Sequence, residues 1–271
     1  TLTILSTAIF DKPAFKNVIV NGLVLANDGE KMSKRKKNYT APDSLMEEFG
    51  ADALRLYLIT SGLVRGEAMK FNDAGVKDMV RMTLLPWYNS FKFFKTYADL
   101  DGWNMQEHAQ ESDNITDKWL LSNLQTLKKT ISTEMEAYQL YNVVPGLLKY
   151  IEDLTNCYIR LNRTRFWGEE LTKDKCAAYT TLFTALEELT IAMAPFTPFF
   201  SEHVYQELRT YSKAEDRQES VHLCDFPVAD EKKIDTLLED AVDRMQQRIL
   251  RGRQKRNQVK IKVKTPLSRL T

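Results

Sequence analysis

Apolar residues recur at helical spacing through most of this chain, and that pattern excludes more folds than any other feature. Leu120, Leu124, Leu127, Ile131 and Met135 form one stripe. Val143, Leu147, Tyr150, Leu154, Cys157 and Leu161 form a second, and Leu182, Leu186, Leu189 and Met193 a third. Steps of three and four place each set on one helix face. Thr116 with Asp117, and Thr172 with Asp174, read as cap and first-turn acid for the helices that follow. Pro195 and Pro198 break the chain before a shorter helix over 199–210. Long amphipathic helices on short connections predict an antiparallel bundle over 76–211. No fixed-period repeat is present, which argues against a solenoid. The aromatic cluster Trp87, Tyr88, Phe91, Phe93, Phe94 and Tyr97 reads as part of the bundle core.

The flanks read differently. Asn17-Val18-Ile19-Val20 and Leu23-Val24-Leu25 bracket Asn21-Gly22, which predicts a β-hairpin, and Asp28-Gly29 predicts a second turn. Lys31, Lys34, Arg35, Lys36 and Lys37 then put five positive charges into seven residues. From Pro42 the pattern turns helical, with Leu45, Phe49, Ala53 and Leu56 on one face. Residues 212–230 are polar and turn-rich and read as a linker. A last helix over 234–256 carries Leu238, Ala241, Met245 and Ile249 on one face. From Arg244 to Thr271 there are ten basic residues and no acidic one. Val259 to Lys264 alternates with period two and reads as an edge strand. The chain opens without Met in an apolar segment and closes on that unpaired strand, so it reads as an excerpt of a longer polypeptide.

Composition narrows the function classes. Lys and Arg total 38 against 37 Asp and Glu, so no global field draws a partner and only local charge clusters can. No apolar run reaches the ~18 residues of a membrane span. The three cysteines, Cys157, Cys176 and Cys224, are scattered without C-x-x-C spacing. That excludes a disulfide scaffold or a cysteine zinc site and favours a reducing, cytoplasmic setting. His108, His203 and His222 sit in unrelated contexts, so no metal site is expected.

The segment Gly29-Glu30-Lys31-Met32-Ser33-Lys34-Arg35-Lys36-Lys37-Asn38-Tyr39 carries the chemistry. A lysine-rich loop with small and polar spacers can fold over a polyphosphate and neutralise charge on its non-bridging oxygens. Lys31-Met32-Ser33-Lys34-Arg35 resembles the Lys-Met-Ser-Lys-Ser signature of class I aminoacyl-tRNA synthetases. Arg35 stands where that signature has Ser, which adds charge and leaves both lysines in place. The preceding Phe15-Lys16-Asn17-Val18-Ile19-Val20-Asn21-Gly22 is similar to the isoleucine branch of that family, cytosolic type. Asp52-Ala53-Leu54-Arg55-Leu56-Tyr57 and Leu85-Pro86-Trp87-Tyr88-Asn89 resemble segments beyond the signature loop. The stretch from Tyr158 to Gly168, and Ala194-Pro195-Phe196-Thr197-Pro198-Phe199, resemble its anticodon-binding bundle.

The resemblance implies a mainly α fold: the C-terminal remnant of an α/β nucleotide-binding domain over 1–75, an antiparallel anticodon-binding bundle over 76–211, and a linker with the start of a C-terminal module over 212–271. It implies an aminoacyl-tRNA ligase that uses ATP, accompanied by Mg2+, to activate isoleucine and charge tRNA(Ile). Valine- and leucine-type enzymes share the architecture. Lys31 and Lys34 would grip the ATP phosphates, with Ser33 as a supporting donor. The family's other ATP signature, His-x-Gly-His, is missing from these residues, so this segment alone is expected to be inactive. For tRNA, Arg160, Asn162, Arg163, Arg165 and Trp167 form one candidate surface, by phosphate contact and base stacking. The alternative for that cluster is packing by Trp167 and pairing of the arginines with Glu169 or Glu170. Arg251, Arg253, Lys255 and Arg256 form a second, backbone-directed surface. A non-enzymatic helical RNA-binding or scaffold protein is the rival reading.

Overall fold

The computed structural model describes residues 1–213 and 217–266. Nearly all regular structure is helical, with one two-stranded sheet. The order is α1 (Leu2–Phe10), β1 (Val24–Leu25), α2 (Pro42–Phe49), α3 (Ala51–Thr60), β2 (Met69–Lys70), α4 (Asp73–Met79), α5 (Leu85–Asp101), α6 (Met105–His108), α7 (Ile115–Glu136), α8 (Leu140–Glu152), α9 (Arg160–Phe166), α10 (Lys173–Met193), α11 (Pro198–Arg209) and α12 (Thr236–Gln258).

The expected hairpin at Asn21-Gly22 does not form. Instead β1 pairs in parallel with β2, Val24 opposite Met69 and Leu25 opposite Lys70. Gly22 is needed for close approach rather than for a turn. Its N–H donates to the Leu63 carbonyl at 2.8 Å, and a Cβ there would stand 1.7 Å from the Glu67 carbonyl oxygen. The second turn forms as the sequence suggests: Gly29 lies at φ 87° and its N–H meets the Ala26 carbonyl. The helical run from Pro42 is cut in two at Gly50 (φ 84°), which gives α2 and α3.

The first and third stripes form α7 and α10, and the second begins on α8; α7 packs on both α8 and α10, and with α5 and α11 these helices enclose one large core. Trp87, Phe91 and Phe94 are buried in it, with Tyr88, Phe93 and Tyr97 packed around them. Phe94 meets the rings of Trp103, Tyr179, Phe183 and Tyr211 at centroid distances of 5.1–6.2 Å. A smaller cluster of Leu45, Ala53, Leu63, Met69, Phe71 and Val76 sits in the N-terminal segment that carries the basic loop.

Two local departures have clear causes. A wide, π-type turn over Asp153–Ile159 joins α8 to α9, and its extra residue rotates the stripe. Leu154 is therefore buried and Cys157 half-buried, while Leu161 is 57% exposed. At the start of α7 the N-cap is Asn114, not Thr116; Asp117 is a first-turn acid, but a fully buried one.

The polar segment after Tyr211 is fastened to α11. Glu202 accepts from the Val221 N–H (2.8 Å) and the Ser220 hydroxyl (2.9 Å), and the Tyr205 hydroxyl donates to the Gln218 carbonyl. On α12 the side facing the bundle is Leu238, Glu239, Val242 and Gln246, whereas Ala241, Met245 and Ile249 face outward. Glu239 accepts from Ser122 and Thr126, and that polar docking sets the rotation of the helix. No strand follows α12 among the described residues. Arg256 Nη1 donates to the carbonyls of Lys262, Val263 and Thr265 and folds that stretch back on the helix end.

Glu187 on α10 makes stability pH-dependent. Burial pushes its carboxyl up to about 7, against the opposing pull of Arg217, whose Nη1 lies 2.9 Å away. An acid whose folded pKa is raised holds its proton longer when folded, so its ionisation opposes folding. The chain should therefore lose stability as pH rises from about 4.5 through 7. Glu187→Gln should flatten that decline, by about 3 kcal/mol at pH 8, in urea titrations across the range.

Candidate functional site

The basic loop is braced from within. β1 leads into the tight turn at Gly29, where the Glu30 N–H donates to Asp28 Oδ1 and the Ala26 N–H to the Glu30 carbonyl. Asn38 then reaches back across the loop. Its Oδ1 accepts from the Ser33 N–H at 3.0 Å, and its Nδ2 donates to the Lys31 carbonyl at 3.3 Å. Lys37, at φ 49°, closes the turn with its N–H on the Ser33 carbonyl. The side chain of one asparagine thus holds the backbone on both sides of Met32. That role was not legible in the sequence beyond a polar residue ending a charge run.

This bracing presents cations outward. Lys31, Lys34, Arg35, Lys36 and Lys37 are all exposed. Among the described residues only Lys36 of these five has a carboxylate within 4 Å, Glu30 at 3.4 Å. Beside the loop lies a hollow of about 480 Å³, bounded by Met32, Lys37, Asn38 and Tyr39 on one side and Phe71, Asn72 and Asp73 on the other. Solvated amines next to a polar hollow suit a polyanion, because the charges are not spent on internal partners. The three histidines are apart: His108 accepts from the Asn104 N–H, His203 stacks edge-on against Phe91, and His222 is exposed.

The α9 cluster is divided by the structure. Arg160 and Arg163 are exposed, and Trp167 at the end of the helix is 55% exposed. Arg165 and Asn162 turn inward. Arg165 binds both oxygens of Asp117 (2.7 and 2.9 Å) and those of Asp174 (2.7 and 2.9 Å). Asn162 is buried, donating to the Tyr158 carbonyl at 2.9 Å and to Thr116. Both belong to the helix packing and not to an outer surface. The partners of Arg165 are Asp117 and Asp174, not Glu169 or Glu170, and Trp167 does not pack the core. On α12, Arg251, Arg253 and Lys255 are exposed, while Arg256 spends Nη1 on the three carbonyls that follow the helix.

Residues 117–271 match the anticodon-binding domain of tRNA ligases, and residues 1–70 match the class I tRNA synthetases of the isoleucine, leucine, methionine and valine group. The chain belongs to the class I tRNA ligases. It is 48% identical over its whole length to an isoleucine–tRNA ligase of Bdellovibrio bacteriovorus, covering 25% of that protein. It is 46% identical to the cytoplasmic isoleucine–tRNA ligase of Mus musculus, again over all of this chain and 22% of the relative. The chain thus spans about a quarter of the length of these relatives. Among solved structures, a LeuRS of Agrobacterium radiobacter K84 in complex with tRNA and LeuAMS superposes on 86% of this chain with a TM-score of 0.62 at 19% identity, over 27% of that protein. A methionyl-tRNA synthetase of Mycobacterium tuberculosis with methionyl-adenylate reaches 0.58 over 68% of this chain and 36% of its own, at 17% identity. These two establish likeness of fold.

In this tRNA ligase chain, the inward turn of Arg165 has a measurable consequence. Removing it leaves the Asp117 carboxylate buried and without its ionic partner, so Arg165→Ala should cost about 3–5 kcal/mol in urea denaturation. Arg160→Ala and Arg163→Ala, on the exposed side, should each stay within about 0.5 kcal/mol.

Proposed function

We propose that this chain supplies the ATP-phosphate loop and the anticodon-binding domain of a cytoplasmic isoleucine–tRNA ligase. The observation that carries it is the pair of exposed lysines, Lys31 and Lys34, on an Asn38-braced loop, within a chain about half identical throughout to isoleucine–tRNA ligases. The ligase joins isoleucine to ATP as aminoacyl-adenylate with release of pyrophosphate, then transfers the aminoacyl group to tRNA(Ile). Mg2+ accompanies the nucleotide. Lys31 and Lys34 hold the ATP phosphates, with Ser33 supporting them. Their ammonium groups help most if they tighten on the phosphates as pyrophosphate separates, because only that difference speeds the step. The activating half of the site, with His-x-Gly-His, is supplied by the rest of the ligase, so residues 1–271 alone do not activate isoleucine.

The division of labour along the chain follows. Residues 1–75 complete the catalytic domain, residues 76–211 bind the anticodon, and residues 212–271 lead into a further module. The packing of α7 against both α8 and α10, with a short connection from α7 to α8, supports an antiparallel bundle. Arg160, Arg163 and Trp167 form the tRNA surface of α9, with Arg251, Arg253 and Lys255 of α12 as backbone contacts.

In the full-length ligase, Lys34→Ala should lower the rate of isoleucine-dependent ATP–pyrophosphate exchange about a hundredfold, near 3 kcal/mol, while isoleucine binding changes little. Normal exchange in that variant would remove the lysine from the chemistry. For tRNA, replacing Arg160 and Arg163 together by Ala should flatten the plot of log affinity against log salt by about 1.4 units. An unchanged slope would move the tRNA surface to α12.

A further inference from the structure

The segment Asp52-Ala53-Leu54-Arg55 has no part in the phosphate loop or the tRNA surface, yet two of its side chains reach the corner between α10 and α11. Asp52 lies in the first turn of α3, and Arg55 follows three residues later on the same face. Asp52 Oδ2 accepts from the Phe200 N–H at 2.7 Å, in the first turn of α11. Arg55 Nη2 donates to the Pro195 carbonyl at 2.9 Å and Nε to the Phe196 carbonyl at 3.2 Å, just beyond the end of α10. One turn of α3 thus offers an anion to the start of one helix and a cation to the end of another, each matching the local dipole.

The corner between α10 and α11 cannot satisfy itself. Thr197 occupies the N-cap position of α11, but its hydroxyl faces Met193 and Ser201 and caps nothing. The first-turn N–H groups of α11 therefore lack a local side-chain acceptor, and Asp52 supplies one from 148 residues earlier. Its burial is costly. Asp52 is 5% exposed, Oδ1 has no partner among the described residues, and burial raises its carboxyl above the usual range against the opposing hydrogen bond from Phe200. Between Lys34 and Asp52 stands one short helix, α2, and α3 itself packs on α8 and α11.

We propose that Asp52 and Arg55 form a clasp that fixes the loop-bearing segment against the helical domain, making them positioning residues for transfer of the amino acid to tRNA. The proposal rests on the functional reading above, because the clasp matters to catalysis only if one side holds ATP and the other tRNA. Neither residue touches either substrate. The clasp sets where a tRNA held by α9 and α12 lies relative to the phosphate loop.

The test uses the full-length ligase with Asp52→Ala and Asp52→Asn. Asparagine keeps a carbonyl oxygen for the Phe200 N–H; alanine does not. A fluorescent pair introduced at Glu47 and Thr130 reports the distance between the loop-bearing segment and α7. Asp52→Ala should broaden that distance distribution and lower kcat for tRNA charging about tenfold. ATP–pyrophosphate exchange and KM for tRNA should stay within about twofold, and Asp52→Asn should restore both distance and kcat. A distribution and kcat unchanged in Asp52→Ala would overturn the clasp. So would a joint fall of exchange, tRNA affinity and melting temperature, which marks a folding defect. If the unsubstituted protein fails to charge tRNA(Ile), the functional reading falls, and the dye distance still decides the clasp.

Discussion

A carboxylate with no exposure to water, Asp117, sits where three helices meet, and much of the helical domain is arranged to make its charge tolerable. Arg165 of α9 meets both of its oxygens, the Tyr158 hydroxyl donates at 2.8 Å, and the Ser112 hydroxyl donates as well. Moving a lone carboxylate from water into a protein interior costs several kcal/mol. Every group that offsets the cost must be held in place, and these groups come from the start of α7, the wide turn after α8, and α9. Arg165 carries the tie on to Asp174 at the start of α10. The network thereby fixes the direction in which α9 leaves the bundle.

That direction decides what α9 can present outward. With Arg165 and Asn162 committed inward, Arg160, Arg163 and Trp167 fall on the opposite side. The wide turn at Asp153–Ile159 is part of the same device. Its extra residue breaks the stripe that α8 began, so Leu161 leaves the core. A polar network inside and a cationic, aromatic face outside are two sides of one helix. Substitutions on the inner side are expected to act on folding, and those on the outer side to leave it nearly unchanged.

The basic loop follows a different logic. No buried charge anchors it; a backbone turn at Gly29 and the amide of Asn38 do, leaving the amines solvated. Weak neutral hydrogen bonds, about 1 kcal/mol each, can hold a shape and still let it adjust. The loop and the helical domain are thus held by different kinds of contact, and the Asp52–Arg55 clasp joins one to the other.

The sequence by itself determined the long helices, most of their buried faces, the loop and the family. Those features rest on local rules: apolar residues at steps of three and four, a glycine where φ is positive, prolines that end helices, and a motif whose chemistry is contiguous. Leu182, Leu186, Leu189 and Met193 could lie only on one buried face of α10, and Lys31 to Lys34 needed no distant partner to be recognised. The tertiary structure alone decided partners far apart in the chain. Gly22 looked like a hairpin turn, but a strand pairs here by whichever segment the core delivers, and that was Met69–Lys70. Arg165 looked like one of three equivalent arginines until Asp117, 48 residues away, claimed it. Asp52 could not be seen to cap α11 across 148 residues. Periodicity records which face a residue occupies; it carries no information on which other charge will be waiting there, because that depends on how whole helices dock.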